Sequence, residues 1–334
     1  MSRYLLKIAD ICRIFLLAIL FLAMTTGVKS VSGQISDKSG GLFAAFNRAP
    51  DALTAGLGNG VIVSQSPTLM FVNPAGLCFQ EGSRITMNYL SLTPNLDQRL
   101  VMFALGQKLG NSTAIGIGGM NYRVGGIQGY RADAVYTQDW ALNEWMTALV
   151  ISTKSFEPFA VGMSVILGSQ TINSSLTQEK PQLAWGGTYG IVYQPVKWFA
   201  LSSAVESNML LNQTELNFPH MRHALELMIP YWPAKKNAEI VLVGSADTEI
   251  NHWSTATAGL KIDLPISSSL IASLFGKTQP ILLKSTAPDF KLSGKAGYGC
   301  GLLAHLSGLS FNFQLAYQPD EYFNTLYFTV DIIR

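Results

Sequence analysis

Residues 310–317, SFNFQLAY, carry an aromatic or aliphatic side chain at almost every second position and polar or small side chains between them. Because side chains alternate between the two faces of a β-strand, this segment predicts a strand with one apolar and one polar face. The alternation recurs in residues 159–168, 222–229, 260–264 and 326–332. A soluble β-sandwich, the alternative, would carry Lys, Glu and Asp on its outward faces. Here the second face is mostly Ser, Thr, Gly, Ala and Asn, which favours a barrel with lipid outside.

The same pattern divides residues 84–334 into fourteen candidate strands. They lie at about residues 84–92, 99–107, 113–121, 145–153, 159–168, 184–193, 199–207, 222–229, 239–247, 254–262, 267–275, 292–303, 309–317 and 324–333. Tight turns alternate with longer connections such as 122–144 and 276–291, as in outer-membrane barrels, whose long loops face outward. We therefore expect an all-β fold, a fourteen-stranded antiparallel transmembrane β-barrel with both chain ends on the periplasmic side.

The composition excludes several classes of protein. Charged residues make up 13% of the 334 residues, whereas about 25% is usual for a soluble chain. The mean hydropathy is +0.24, yet the sequence contains no apolar run of the roughly 20 residues that a spanning helix requires. The net charge is only +2, and the basic residues do not form a cluster, so nucleic acid is not an expected partner.

Residues 1–33 have the parts of a secretory signal peptide. Arg3, Lys7 and Arg13 precede the apolar residues 14–28, and small residues follow. Cleavage after Ser30 or after Gly33 fits this pattern equally well, and an N-terminal membrane anchor is the alternative to cleavage. The sequence thus predicts export across the inner membrane to the outer membrane of a Gram-negative-type bacterium.

Residues 34–83 lack strand alternation and predict a plug, or hatch, that precedes the barrel. Closely spaced glycines indicate a turn, and Asn73-Pro74 is a favourable start for a short helical turn that Gly76 would end. The motif residues of this hatch are Gly56, Gly58, Gly60, Asn73, Pro74, Ala75, Gly76 and Leu77.

The glycine-rich residues 55–63, followed by Asn73-Pro74-Ala75-Gly76-Leu77, resemble the N-terminal signature of PorV/PorQ-type outer-membrane proteins. These proteins are relatives of FadL-type long-chain fatty acid transporters. The resemblance implies a non-enzymatic component or shuttle of type IX secretion, with secretion-translocon subunits and exported cargo proteins as partners. The alternative that it implies is a FadL-like channel for fatty acids or other hydrophobic compounds. The cargo or ligand, the oligomeric state and an open or plugged lumen stay undetermined at this point.

Charged residues on the polar faces are expected to point into the lumen, since a Lys or Arg facing lipid near the midplane costs about 2–4 kcal/mol. They are Arg84, Glu206, Arg222, Glu226, Glu239, Lys261, Asp263 and Asp331. The inward faces otherwise look small and polar. A transporter of hydrophobic compounds should line its lumen with Phe, Leu and Met, so this interpretation favours the secretion component.

The sequence predicts no catalytic residues, cofactor or metal. Gly276-Lys277-Thr278 lacks the preceding glycine of a phosphate-binding loop, because Ile271 occupies that position. His220 and His223 would split between two faces of a strand, which disfavours a shared metal ion. A lipid-modifying enzyme, the third class considered, would need a Ser–His pair at the lipid edge, and the sequence does not show one.

Overall fold

The computed structural model describes residues 50–57, 66–92, 97–130, 136–174, 181–210, 220–230, 239–249, 253–278, 281–284, 290–292, 296–319 and 324–334. The expected signal peptide and the motif residues Gly58 and Gly60 lie outside these ranges. No helix among the described residues is long and apolar enough to cross a membrane.

Sixteen strands make up most of the described chain. They are β1 Ser83–Leu92, β2 Asp97–Leu109, β3 Thr113–Tyr130, β4 Tyr136–Phe156, β5 Phe159–Ser174, β6 Gln182–Val196, β7 Phe199–Leu210, β8 His220–Pro230, β9 Glu239–Glu249, β10 Trp253–Ser267, β11 Leu270–Lys277, β12 Ile281–Lys284, β13 Phe290–Leu292, β14 Gly297–Leu306, β15 Leu309–Pro319 and β16 Asn324–Ile333. Among the described residues, three short helices precede them: an α-helix at Ala52–Leu57 and 3-10 helices at Pro67–Phe71 and Pro74–Phe79.

Fourteen of these strands close into an antiparallel barrel, which confirms the predicted fold class. Sequential neighbours pair from β1 to β11, β11 pairs with β14, and β16 returns to β1. The small strands β12 and β13 lie outside this ring, where β12 pairs with residues 253–256 of β10 and β13 pairs with β12. Closure leaves the fourteen ring strands without a free edge, so their backbone groups are paired within the barrel.

The expectation of a long loop at residues 122–144 is wrong, because β3 and β4 extend through most of it. Their pairing continues from Val124 to Ile127 across a bulge, where Gly126 has a φ of +69°. Another predicted loop, 276–291, contains β12 and the start of β13. Backbone pairing persists in these segments although the side chains no longer alternate between apolar and polar, so the sequence pattern ended before the strands did.

The two faces of the strands differ as the alternation predicted. In β5, Val161, Met163, Val165 and Leu167 are exposed on the outside, and in β16 Leu326 and Phe328 are exposed likewise. Between them, Ser164, Ile166, Thr329 and Asp331 point inward and are buried. The apolar outer surface therefore consists of side chains that would be costly to expose to water and that fit a hydrocarbon environment.

Short turns collect at one rim of the barrel, including Glu157-Pro158, Lys197-Trp198 and Ser307-Gly308. The first residues of β1 and the last residues of β16 meet at this same rim, with Arg84 opposite Ile333. The longer connections leave from the opposite rim, which we call the loop rim. The side of the membrane that each rim faces stays a prediction.

Candidate functional site: the barrel lumen and its hatch

The hatch consists of the described residues 50–57 and 66–82 and lies inside the barrel. Asn73 caps the helix Pro74–Phe79, since its side-chain oxygen accepts a hydrogen bond from the Ala75 backbone N–H at 3.2 Å. Pro74 occupies the first helical position, as expected. The expectation that Gly76 ends this helix is wrong: Gly76 lies inside it, and the helix continues through Leu77 to Phe79. Gly56, expected in a turn, belongs to the helix Ala52–Leu57.

Glycines on the inward faces of the strands form the seat of the hatch. A Cβ atom added at Gly162 would lie 2.5 Å from the Pro74 carbonyl carbon, and one at Gly118 would lie 2.6 Å from Met70 Sδ. Because real Cβ atoms do not approach other atoms so closely, the hatch can pack against the wall only where side chains are missing. Gly106, Gly190 and Gly259 are tight against the hatch in the same way, and Gly116 is tight against both the neighbouring wall and Met70. This role of the glycines was not predicted, although their recurrence on inward positions could have suggested it.

A buried polar network joins the hatch to the seam between β1 and β16. In the hatch, Thr68 Oγ1 donates to Asp51 Oδ2 at 2.5 Å and lies 2.8 Å from Ser66 Oγ. Ser66 Oγ lies 3.1 Å from Thr86 Oγ1 of β1, and Thr86 Oγ1 donates to Asp331 Oδ1 of β16 at 2.5 Å.

The same seam contains two further links to the hatch. Arg84 Nη2 lies 2.5 Å from Asp331 Oδ2, and both side chains are buried. The Ala52 backbone N–H donates to Thr329 Oγ1 at 2.9 Å, and Asn88 Nδ2 donates to the Pro50 carbonyl at 2.6 Å. Hydrogen bonds are stronger in a low-dielectric interior than in water, so these bonds hold the hatch in register with the barrel.

A second ion pair lies across the lumen from this seam. Arg222 Nη2 is 3.0 Å from Glu206 Oε2, and Arg222 Nη1 donates to the Phe71 carbonyl of the hatch at 3.4 Å. Glu226, two residues along the inward face of β8, is only 1% exposed. Arg222 therefore links the barrel wall directly to the hatch backbone.

A third group of charges lies near the short-turn rim. Lys261 Nζ is 2.6 Å from Asp263 Oδ2, and Ser273 Oγ donates to Asp263 Oδ1 at 2.5 Å. Glu239 stands opposite Asp263 in the sheet. All eight charged residues singled out from the sequence thus occupy inward faces, and three pairs of them form ion pairs.

The lumen lining is more apolar than expected from the sequence in parts of β2 to β4, where the expectation of small, polar inward faces is wrong. Met102, Met120 and Met146 stand side by side on the inward faces of β2, β3 and β4 and are buried. Leu90 and Leu100 lie in the adjacent row and are also buried. The inward Met and Leu residues were not recognised from the sequence because the same segments also carry apolar residues on their outward faces, which hides the alternation.

One acidic residue missed from the sequence adjoins the methionine row. Glu144 of β4 is fully buried, and its Oε1 accepts a hydrogen bond from Gln170 Nε2 of β5 at 2.6 Å. It stands opposite Tyr122 of β3, which is also buried. Glu144 fell within the residues that we expected to form a loop, so the sequence gave no reason to place it in the lumen.

The described residues contain a Ser–His pair but no cluster of potential metal ligands. No group of three or more His, Cys, Asp or Glu side chains that could hold a metal ion occurs among them. Ser203 Oγ lies 3.1 Å from His223 Nδ1 on neighbouring strands, so a Ser–His pair does exist. The residues opposite this pair in the sheet are Ile191 and Ala246. Cys78 is buried in the hatch and Cys300 is exposed on the wall, and both are free thiols.

No protein-family model and no curated protein sequence matches the chain. Solved structures do resemble it. A FadL homologue of Pseudomonas aeruginosa superposes with a TM-score of 0.56 and 10% identity over 85% of this chain and 98% of that one. A monoaromatic hydrocarbon channel, the TodX deltaS2S3 mutant, gives a TM-score of 0.55 and 10% identity over 84% of this chain and 98% of that one. At this identity the likeness shows a FadL-like barrel fold.

Proposed function

We propose that this chain is an outer-membrane channel for hydrophobic compounds, the alternative that the sequence analysis kept open. The observation that carries this proposal is the row formed by Met102, Met120 and Met146 inside a barrel of FadL-like fold. Unbranched, polarizable methionine side chains adapt to ligands of different shape, and binding sites for apolar molecules are lined by such groups. The TodX channel, whose fold this chain resembles, is described as a channel for monoaromatic hydrocarbons.

The hatch supports the same proposal. Met70 and Phe71 of the hatch pack against the glycine positions Gly116 and Gly118, directly beside the methionine row. The apolar surfaces of hatch and wall are continuous, so a hydrophobic molecule would meet apolar side chains on both sides. The lumen is filled at this level, because these residues are buried, and passage requires that hatch or lining side chains move.

The secretion hypothesis remains a prediction. It rests on the motif Asn73-Pro74-Ala75-Gly76-Leu77, and the two structures compared above are not secretion components by their descriptions. Its supporting argument was a small, polar lumen lining, and the buried Met and Leu residues on the inward faces of β2 to β4 weaken that argument. Translocon subunits and cargo are therefore not part of the proposed function. The proposal also places the loop rim outside the cell and the short-turn rim, with both chain ends, in the periplasm.

Transport into vesicles tests the proposed function. The purified chain is reconstituted into liposomes, and uptake of radiolabelled toluene and oleate is measured for wild type, Met146→Trp and Met163→Trp. Met146 points into the lumen and Met163 points outward, 43% exposed, so the same substitution adds bulk to the lumen lining in one variant only. We expect uptake above protein-free vesicles for wild type and Met163→Trp and a loss of most of it for Met146→Trp. Uptake at the protein-free level for wild type, or equal uptake by both variants, would contradict the proposal.

A further inference from the structure

The described residues close the short-turn rim on one side of the barrel only. Ala114, Ala160 and Ala200 are the second residues of β3, β5 and β7, point inward at this rim and are 0%, 0% and 1% exposed. His305, beside the last residue of β14, also lies at this rim, and its Nδ1 is 2.7 Å from the inward Ser310 Oγ. His305 is exposed, so the lumen is accessible from this rim on the side of β10 to β15.

The accessible part of the wall is polar and ends at an aromatic side chain. The side chains of Lys261 and Asp263 are 14% and 13% exposed. Ser273 stands opposite Asp263, and Gly301 stands opposite Ser273, and both are partly exposed. Phe275, the next inward residue of β11, is only 5% exposed. Water therefore reaches the lumen wall up to the level of Phe275.

The ring of Phe275 lies between a glycine of the hatch and a glycine of the wall. A Cβ atom added at Gly56 would lie 2.5 Å from Phe275 Cε2, and one added at Gly299 would lie 2.6 Å from Phe275 Cζ. Real Cβ atoms do not approach other atoms so closely, so neither position accepts a side chain while the ring is there. The ring thus fills the gap between the wall and the hatch helix Ala52–Leu57.

Phe275 is also the end of an apolar row that begins beside the methionine row. Successive register partners on the inward faces are Leu100, Leu90, Tyr327, Ala316, Gly299 and Phe275. Every side chain of this row is at most 5% exposed. Leu100 lies nine residues from Leu109, the short-turn end of β2, whereas Phe275 lies five residues from Leu270, the short-turn end of β11. The row therefore approaches the short-turn rim and ends where the polar, accessible wall begins.

We propose that Phe275 is the gate residue of a passage through which an apolar compound leaves the lumen at the short-turn rim. This inference rests on the proposed function and names the route of the compound past the hatch. When the ring turns away, Gly56 and Gly299 leave a gap between hatch and wall that joins the apolar row to the accessible wall. A change of side-chain rotamer needs no backbone movement, so the hatch stays hydrogen-bonded to β1 and β16 while the gate opens.

Cysteine accessibility at position 316 tests the gate without a transport measurement. Ala316→Cys is made in a Cys78→Ser/Cys300→Ser background, and the purified full chain is labelled with a cationic methanethiosulfonate reagent. Ala316 is 1% exposed and lies behind Gly299 and Phe275 in the row. Because a minor open state is typically about 0.1–10% populated, we expect the permanently open Phe275→Ala to label position 316 at least about tenfold faster. Leu274→Ala, the matched control, truncates the neighbouring outward side chain and should label at the parental rate.

A second variant and a second label separate gate opening from a general loosening of the hatch. Phe275→Leu keeps the side chain out to the Cδ atoms and lacks Cε2 and Cζ, which cover Gly299, so it should also accelerate labelling at position 316. Heat-modifiable gel migration is the folding check. Cys78, labelled in a Cys300→Ser background, should keep its parental rate, because its helix packs against β4 to β6. Parental labelling at position 316 in the folded variants, or equal acceleration at Cys78, would overturn the gate.

Toluene uptake by liposomes decides whether transported compounds use this passage. We expect uptake at least about tenfold faster for Phe275→Ala than for wild type, on the same population argument, and wild-type uptake for Leu274→Ala. Accelerated labelling at position 316 combined with wild-type uptake by Phe275→Ala would overturn the proposed route. Uptake at the protein-free level for wild type and every variant would refute the proposed function, and accelerated labelling would then still show that Phe275 closes the lumen.

Discussion

The substitution Gly162→Ala tests whether the glycine seat holds the hatch. Gly162 faces inward under the hatch, and a Cβ atom there would lie 2.5 Å and 2.7 Å from the carbonyl carbon and oxygen of Pro74. Because these are backbone atoms, the hatch itself has to shift, and inserting atoms into a packed interior costs about 1–3 kcal/mol. The matched control is Gly244→Ala, since a Cβ atom at Gly244 meets nothing within 4 Å. Neither glycine has a positive φ, so backbone strain does not enter the comparison.

The thiol of Cys78 reports on the position of the hatch. Cys78 is fully buried, and this burial raises the pKa of its thiol to about 11. The thiolate is the form that reacts with a thiol reagent, so both the burial of Cys78 and its raised pKa slow labelling while the hatch is in place. Return of the pKa by two units toward its ordinary value would raise the thiolate fraction about 100-fold near neutral pH.

Labelling is measured in a Cys300→Ser background, because Cys300 is exposed and would react first. We expect Gly162→Ala to label Cys78 at least tenfold faster than the parent and to unfold at a lower urea concentration. Gly244→Ala should label at the parental rate, with equal or slightly higher stability, since glycine within a strand is unfavourable relative to alanine. Identical labelling rates for Gly162→Ala and Gly244→Ala would refute the claim that the inward glycines hold the hatch in place.

The other predictions concern the buried polar groups and the lumen lining. Asp331→Asn should lower the free energy of unfolding by about 3–5 kcal/mol, because it leaves the buried Arg84 without its ionic partner, and Asp331→Leu/Arg84→Met should recover part of the loss in urea titrations. Burial raises the pKa of Asp51 above 3.8, so the folded hatch retains a proton that the unfolded chain releases. Stability should therefore fall as the pH rises from 3.8 through the folded pKa, and urea midpoints of Asp51→Asn should lack this slope. Met120→Leu conserves volume, and we expect less than about 1.5 kcal/mol of destabilisation and near-parental toluene uptake.

The strands were predictable from sequence wherever the two faces differ in polarity. In residues 310–317, Phe313 and Leu315 point outward and Gln314 and Ala316 point inward, as the alternation indicated. Around Met102 and Met146 both faces are apolar, so periodicity could not show which residues line the lumen. Near Gly126, β3 extends beyond the apolar outer surface of the barrel. Neither face of the strand needs to be apolar there, so the strand continues without alternation of apolar and polar residues in the sequence.

The contacts of the hatch depend on residues far apart in the chain. Asn73-Pro74 predicted a helix start correctly, because capping is local. The links from Asp51 through Thr68 to Asp331 join positions separated by most of the chain, and no local pattern reports them. The inward position of the charged residues could be predicted because a charge facing lipid costs free energy. Their ion pairs, such as Arg222 with Glu206, depend on the strand register and could not be predicted.

The most direct test of the proposed channel is a deletion of the gene with both transport activities measured in the same strain. Uptake of toluene and oleate by intact cells and export of surface proteins are compared between the parent, the deletion strain and a strain complemented with Met146→Trp. We predict that uptake falls in the deletion strain, that Met146→Trp does not restore it, and that export stays at the parental level. Unchanged uptake together with a loss of surface proteins would contradict the channel and support the secretion hypothesis.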